Sequence, residues 1–415
     1  MKKTICNFIK QTTICSTMIV GSLLFTQCTD DEPNNENGNI TSGTIEFDLV
    51  DLNATTETKR LADNLRLTKE KGVILGQQQA YIEDRDVSPR TFTTDCDIYN
   101  VTGKYPLITG EDFLVLTNDS WTATNWYGKQ SAAQKEWVIE CYKMGVFTTF
   151  SWHMREPYNG DSFYVSDMDK VDLTLSAKAF KSILEGCENH EYYKAKLDLI
   201  ADFCLSLIDE ESGELIPIIF RPFHEMTGSW FWWGIPYYAT EAEFIQNWQF
   251  TVKYLRDTRG VHNIIYAYSP SNGVTTESQF LACYPGDDYV DILGIDSYTD
   301  YSSGTSAKET TITQLELISS LAKSRGKICA LTECGYDIVG YPEITDMYNT
   351  CYLNFIEESG ADIAYMLYWY NSDDKNFIPT ETSSSAMISS FNSFVNNDKI
   401  LMMDDIISPC SEDYE

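Results

Sequence analysis

Eight short apolar runs, at residues 72–76, 106–109, 146–152, 215–221, 263–268, 291–295, 327–331 and 363–369, alternate with longer amphipathic stretches, and this alternation limits the folds open to the chain. The runs are rich in β-branched and aromatic residues and too short for helices, so they read as strands buried on both faces. Parallel strands need crossover connections of about a dozen residues or more. Helical patterns at 132–144, 193–208, 241–257, 311–324, 344–357 and 386–395 supply them. Thr240 and Glu243 form a capping box at the start of the third of these. Eight strands interleaved with helices predict an α/β fold, a (β/α)8 barrel in a single catalytic domain. A doubly wound sheet shares the alternation but does not bring its fourth and seventh strand ends to one mouth.

Functional residues of such a barrel gather at the C-terminal ends of its strands. Polar and ionisable residues fall there in this chain: Gln77 and Gln78 after the first run, Glu111 and Asp112 after the second, His153 after the third, His224 and Glu225 after the fourth. Asp296 and Tyr298 follow the sixth run, Glu333 the seventh and Asn371 the eighth.

The fourth run leads directly into Arg221-Pro222-Phe223-His224-Glu225, then Gly228 and Trp230-Phe231-Trp232-Trp233-Gly234. Core packing and an Arg221–Glu225 ion pair would account for any one of these residues. For the cluster a second account is stronger. Rigid ring faces with a polar rim suit stacking on sugar rings, and a carboxyl beside them is desolvated toward its protonated form. Glycoside hydrolysis needs one carboxylic acid to protonate the leaving oxygen and one carboxylate to attack the anomeric carbon or activate water. Glu225 is the candidate acid/base. Glu333, within Leu331-Thr332-Glu333-Cys334-Gly335, is the candidate nucleophile, held ionised by Tyr298 or Arg221, with Gly335 expected to allow a sharp turn.

A formal charge of −32 opposes nucleic acid and anionic membranes as partners and leaves neutral polymers acceptable. The chain opens with Lys2 and Lys3, followed by an apolar segment from about Ile14 to Phe25 that is too short for a membrane span and suits a signal peptide. It ends Leu24-Phe25-Thr26-Gln27-Cys28, which resembles a bacterial lipoprotein box with Cys28 as the lipidated residue. Residues 1–28 are therefore expected as signal, 29–43 as an acidic, Asn-rich tether, 44–396 as the catalytic domain and 397–415 as a C-terminal tail. The expected location is the outer membrane, held by the lipid alone, on the cell surface or the periplasmic face. Of twelve cysteines, nine remain beyond Cys28, so at least one is unpaired, and buried free thiols are expected at Cys141, Cys204 and Cys329. With four histidines and no Cys-x-x-Cys pair, no metal site or cofactor is expected, and the chain is expected to work as a monomer.

The segment from Arg221 to Glu225 with Gly228 and 230–234 resembles the signature of glycoside hydrolase family 26, chiefly endo-β-1,4-mannanases. The resemblance extends over most of 45–395 and includes Ser151-Trp152-His153, Gly294-Ile295-Asp296-x-Tyr298, Thr332-Glu333-x-Gly335 and Trp369-x-Asn371. It implies a retaining enzyme without metal, with Glu225 as acid/base and Glu333 as nucleophile. It further implies that His153, His224, Trp230, Tyr298 and Trp369 line the central sugar subsites, with Arg221, Asp296 and Trp233 in support. Two positions depart from the family's habit: Glu156-Pro157 stands where Asn-Pro is common, and Tyr370 where an Arg often follows the last Trp. Both are expected in subsite walls. Competing readings are a β-1,3-1,4-glucanase or xylanase on the same barrel, a glycan-binding surface lipoprotein that has lost hydrolysis, and a metal-dependent deacetylase or lyase.

Overall fold

Each predicted run forms a strand: β1 (Val73–Gln78), β2 (Ile108–Asp112), β3 (Phe147–Ser151), β4 (Ile218–Arg221), β5 (Ile264–Tyr268), β6 (Ile292–Ser297), β7 (Ile328–Cys334) and β8 (Tyr365–Tyr368). All pair in parallel with their chain neighbours, and β8 closes on β1, giving the expected (β/α)8 barrel. The computed structural model describes residues 49–83, 90–160, 162–172, 174–298, 305–340 and 343–414. Cys28 and the expected signal and tether lie outside them.

The helices include α1 (Thr56–Thr68), α2 (Trp126–Lys143), α3 (His190–Ser206), α4 (Glu241–Lys253), α5 (Thr305–Arg325), α6 (Asn354–Ser359) and α7 (Ser385–Val395), with further short helices between them, among them Val165–Val171 and Leu175–Ser182. The capping box at Thr240 and Glu243 is formed. The two connections without a predicted helical pattern, after β1 and β5, have among their described residues the short helices Asp97–Thr102 and Glu277–Leu281, together with a small antiparallel pairing of Ile82–Glu83 with Thr91–Phe92 and a 3-10 turn at Asp287–Tyr289. The predicted helix at 344–357 is instead a π-helical turn, Tyr348–Leu353, running into α6. Among the described residues no helix is long and apolar enough to cross a membrane.

Strand alternation sorts side chains between the barrel interior and the layer beneath the helices. Ile74, Ile108, Phe147, Ile219, Ile265, Ile292, Ala330 and Leu367 fill the interior. Leu75, Phe150, Phe220, Tyr266 and Leu293 pack outward into a second, larger core. Continuing the inward parity upward places Gln78, Asp112, Ser151, Arg221, Ser269, Asp296 and Trp369 at the mouth. At the opposite end, Ile400–Leu401 pairs with Val73 and Ile74 at the start of β1, and Tyr414 is buried with its hydroxyl 2.7 Å from Thr68 Oγ1. The described part of the expected tail, 397–414, thus packs over the foot of the barrel. All nine cysteines among the described residues are free thiols, and Cys141, Cys204 and Cys329 are buried.

Candidate active site

By parity with Ile328 and Ala330, the inward residue at the top of β7 is Thr332, and Glu333 should face out. A one-residue slip changes this. Against β6 the partners step from Ile295↔Leu331 to Asp296↔Glu333, and against β8 from Met366↔Leu331 to Tyr368↔Cys334. Both neighbours therefore see one extra residue on β7, a bulge of the kind that re-aims side chains. Thr332 and Glu333 consequently both reach the interior: Thr332 Oγ1 donates to Asp296 Oδ1 (2.7 Å), and Glu333 accepts from Arg221 and Tyr298. Gly335 serves differently from expectation. Its φ is not left-handed, but a Cβ there would lie 2.3 Å from the Phe377 ring, so the close ring is what requires glycine.

Arg221, buried on β4, organises the mouth. Its Nη1 donates to Asp296 Oδ1 (2.7 Å) and Ser269 Oγ (3.0 Å), and its Nη2 to Glu333 Oε1. Burial alone would lower the guanidinium's proton affinity, but the charges of Asp296 and Glu333 outweigh it, so Arg221 stays cationic. Burial raises the Asp296 carboxyl and Arg221 opposes that rise. Three donors, from Arg221, Ser269 and Thr332, converge on its oxygens. Tyr298 OH donates to the other Glu333 oxygen at 2.9 Å. Burial and then the Glu333 charge drive this phenol upward, so it stays a neutral donor.

Glu225 reaches the mouth from the loop after β4, in a backbone conformation non-glycine residues seldom adopt: φ is 51° at Phe223 and 55° at Glu225. Glu225 N donates to Ser269 O (2.8 Å) and Gly228 N to Glu225 O (2.9 Å), which fixes the turn. Its Oε2 accepts from Trp230 Nε1 at 2.6 Å. Burial raises its carboxyl well above the usual range, and the charges of Glu333 and Asp296 add to the rise. Oxygens of Glu225, Asp296 and Glu333 lie within 4.8 Å of one another, with Arg221 as the cation set against two of them.

The aromatic run divides its labour. Trp232 and Trp233 are fully buried, and Trp233 Nε1 donates to His224 O (2.8 Å), so Trp233 braces the loop from behind. Phe231 stacks on Trp233 at 4.5 Å and under the half-exposed Tyr164 at 5.4 Å. His224 is buried, and burial holds its imidazole well below the usual value, hence neutral. His153 meets it edge-on at 4.5 Å. Asp112 fixes His153 through Nδ1 at 2.5 Å and its backbone N at 3.1 Å. Burial works against the Asp112 anion, but its donors, His153 first, hold its carboxyl below the usual range.

From His153 and Trp369 a cleft of about 730 Å³ runs outward past Asp112, Tyr164 and Tyr370. Tyr370 is thus in the wall, as expected. Glu156 is buried, and its carboxylate accepts the backbone N–H groups of Tyr158 (2.8 Å) and Asn159 (3.1 Å), which makes it the cap of a turn. Sequence reasoning passed over Ser269, quoted Thr332 in a motif without giving it a role, and passed over Tyr164. Strand parity could have found the first two, and nothing in the loop around 164 marks the third.

A parallel barrel with an acid of raised affinity, a second carboxylate held by cationic and phenolic donors, and ring faces around both has the form of a glycoside hydrolase site. The chain belongs to glycosyl hydrolase family 26, whose model matches residues 50–376. It is similar to mannan endo-1,4-beta-mannosidase of Bifidobacterium adolescentis, 32% identical over 371 residues covering 85% of this chain. It spans only 35% of the length of that relative. Among solved structures, GH26C from Muricauda sp. shares 37% identity at a TM-score of 0.83, covering 90% of this chain and 100% of that one. The catalytic domain of the Bacillus sp. JAMB-750 GH26 endo-beta-1,4-mannanase shares 32% at 0.78, covering 88% and 95%.

The raised Glu225 carboxyl has a consequence for stability. A carboxyl whose folded-state value exceeds its unfolded one contributes stability that is fully present below the unfolded value and is lost as pH rises through the folded one. Glu225→Gln removes that loss. Its unfolding free energy should match wild type near about pH 4 and exceed it increasingly as pH rises. Denaturant titrations at several pH values check this, and a difference independent of pH would contradict it.

Proposed function

We propose that the chain is a retaining, endo-acting glycoside hydrolase that cleaves β-1,4-mannosidic bonds in mannan, glucomannan or galactomannan by double displacement. The observation that carries this reading is the pairing of Glu225 and Glu333 with oxygens within 4.8 Å of each other, the first raised by burial and the second hydrogen-bonded by Arg221 and Tyr298. Retaining enzymes hold their carboxyl groups about 5–5.5 Å apart, whereas inverting enzymes leave room for a water.

In the first step Glu333 attacks the anomeric carbon while Glu225 gives its proton to the glycosidic oxygen; the C–O bond breaks and a glycosyl ester forms on Glu333. Glu225, now a carboxylate, takes a proton from water as that water attacks the anomeric carbon. The ester bond to Glu333 breaks as the new C–O bond forms, which frees the Glu333 carboxylate and leaves Glu225 protonated again. Tyr298 and Arg221 hold the Glu333 carboxylate in place for attack. Trp230 holds Glu225 by a hydrogen bond that both its protonated and its ionised forms can accept. His153, His224 and Trp369 stand beside the pair as walls and donors for the reacting sugar.

The preference for mannose rests on the relatives, two of which carry that activity in their names. Reducing ends released from linear mannan, β-1,3-1,4-glucan and xylan by the chain lacking residues 1–28 test it. The reading expects mannan to be cleaved with the highest kcat/KM, and glucan or xylan ahead of mannan would overturn the substrate. We place the enzyme at the outer membrane, tethered by a lipid on Cys28. Fatty-acid labelling that persists in Cys28→Ser would refute the anchor.

A further inference from the structure

Below the mouth, two polar side chains enter an otherwise apolar barrel interior: Tyr365 from the inward face of β8, and Thr149 from β3, two residues above inward-facing Phe147. Both are fully buried, and the Tyr365 ring stands edge-on to Phe147 with centroids 6.2 Å apart. Thr149 pairs with Ile219 of β4, two residues below Arg221. Arg221 carries five N–H groups. Its Nη1 donates to Asp296 and Ser269 and its Nη2 to Glu333, so these bonds all face the mouth. Among the described residues, Arg221 Nε has no hydrogen-bond partner, and neither does the hydroxyl of Tyr365 or of Thr149. After burial, the charge of Arg221 is the strongest influence on the Tyr365 phenol, followed by Asp296 and then by the Thr149 hydroxyl. The three orphaned atoms therefore share one neighbourhood inside the barrel.

A buried guanidinium N–H without an acceptor is costly, and so is an unpaired buried hydroxyl. One water, which makes about three hydrogen bonds at a buried polar site, satisfies all of them. We propose that Tyr365 and Thr149 hold a buried water that accepts the Nε–H of Arg221, and that through it Tyr365 is a positioning residue for the nucleophile, an inference that rests on the hydrolase reading above. The water accepts from Nε and donates one hydrogen to each hydroxyl oxygen. Because the guanidinium is planar and rigid, a hold on Nε fixes the direction in which Nη2 meets Glu333. That hold matters most in the glycosyl ester, where Glu333 has lost its charge and no longer draws Arg221 toward it.

A crystal structure of the enzyme at a resolution that shows ordered water tests the bridge. One water within hydrogen-bond distance of Arg221 Nε, Tyr365 Oη and Thr149 Oγ1 is expected; a dry interior, or a direct bond between any two of the three atoms, overturns it. Turnover of linear mannan and of an activated aryl glycoside by Tyr365→Phe and Thr149→Val, which keep shape and remove a hydroxyl, tests the role. Each should lower kcat about tenfold with KM unchanged, and equally on both substrates, since both need the nucleophile and only the polymer needs the acid. Thr149→Ser should keep wild-type turnover. The double variant should lose no more than the worse single, because both act through the same water. Losses that multiply in the double variant, losses in KM alone, or a wild-type kcat in both single variants overturn the positioning role. If Tyr365→Phe fails to fold, Thr149→Val and Thr149→Ser decide the same question. Wild type inert on every β-glycan, with the water in place, overturns the hydrolase reading and leaves the bridge standing.

Discussion

Glu333→Ala is expected to lower turnover of linear mannan by roughly 10⁴- to 10⁶-fold, the range for removing a nucleophile from a concerted site. Glu333 occupies the end of a chain of buried contacts running through Arg221 to Asp296, so the alanine variant also strands part of a buried guanidinium. Glu333→Gln keeps the volume and should lose activity as fully at less cost to stability. Chemical rescue separates the two losses. Azide entering the space left by the carboxylate attacks the anomeric carbon directly, the glycosidic bond breaks once, and the product is a glycosyl azide of inverted configuration. Restored turnover with that product identifies Glu333 as the missing nucleophile. Unchanged activity in the variant would remove Glu333 from the mechanism.

Glu225→Ala should lower turnover of the polymer by about 10²- to 10⁴-fold, the usual contribution of a general acid. An aryl glycoside whose phenol leaves unaided needs no proton, so its cleavage to the glycosyl ester should be spared relative to polymer. Azide should rescue this variant too, but with retained configuration, because Glu333 still forms the ester first. The pH profile gives an independent reading. Burial raises the Glu225 carboxyl, so the acid form persists to higher pH than an ordinary carboxyl allows, and activity falls as pH climbs through its folded-state value. In Glu225→Ala that alkaline limb should vanish on the activated substrate. Equal losses on polymer and aryl glycoside would contradict the acid role.

The barrel was legible because buried parallel strands leave continuous apolar runs in the sequence, and all eight formed strands where those runs lie. Asp296 and Arg221 could be placed by counting, since each sits an even number of residues above an interior side chain, Ile292 and Ile219. Glu333 could not. Its inward aim depends on an extra residue in β7 that neither composition nor alternation marks, because the slip is set by pairing with β6 and β8. Glu225 was found by its motif, yet the left-handed backbone that presents it is a property of the loop's contacts with Ser269 and Gly228. The run 230–233 looked uniform in sequence and is not: Trp230 touches Glu225, while Trp232 and Trp233 are packed away from solvent. Glu156 looked like a wall residue from its neighbours in the chain, but its carboxylate is taken up by two backbone donors.

What the pair of carboxyls does is read most directly from the configuration of the sugar at the moment it is released. Proton NMR of the first products from a β-mannosidic substrate, taken before mutarotation, should show the β-anomer, because two displacements at one carbon restore the starting configuration. An initial α-anomer would mean a single displacement by water, the outcome expected of carboxyls spaced more widely than about 5–5.5 Å, and would contradict the account.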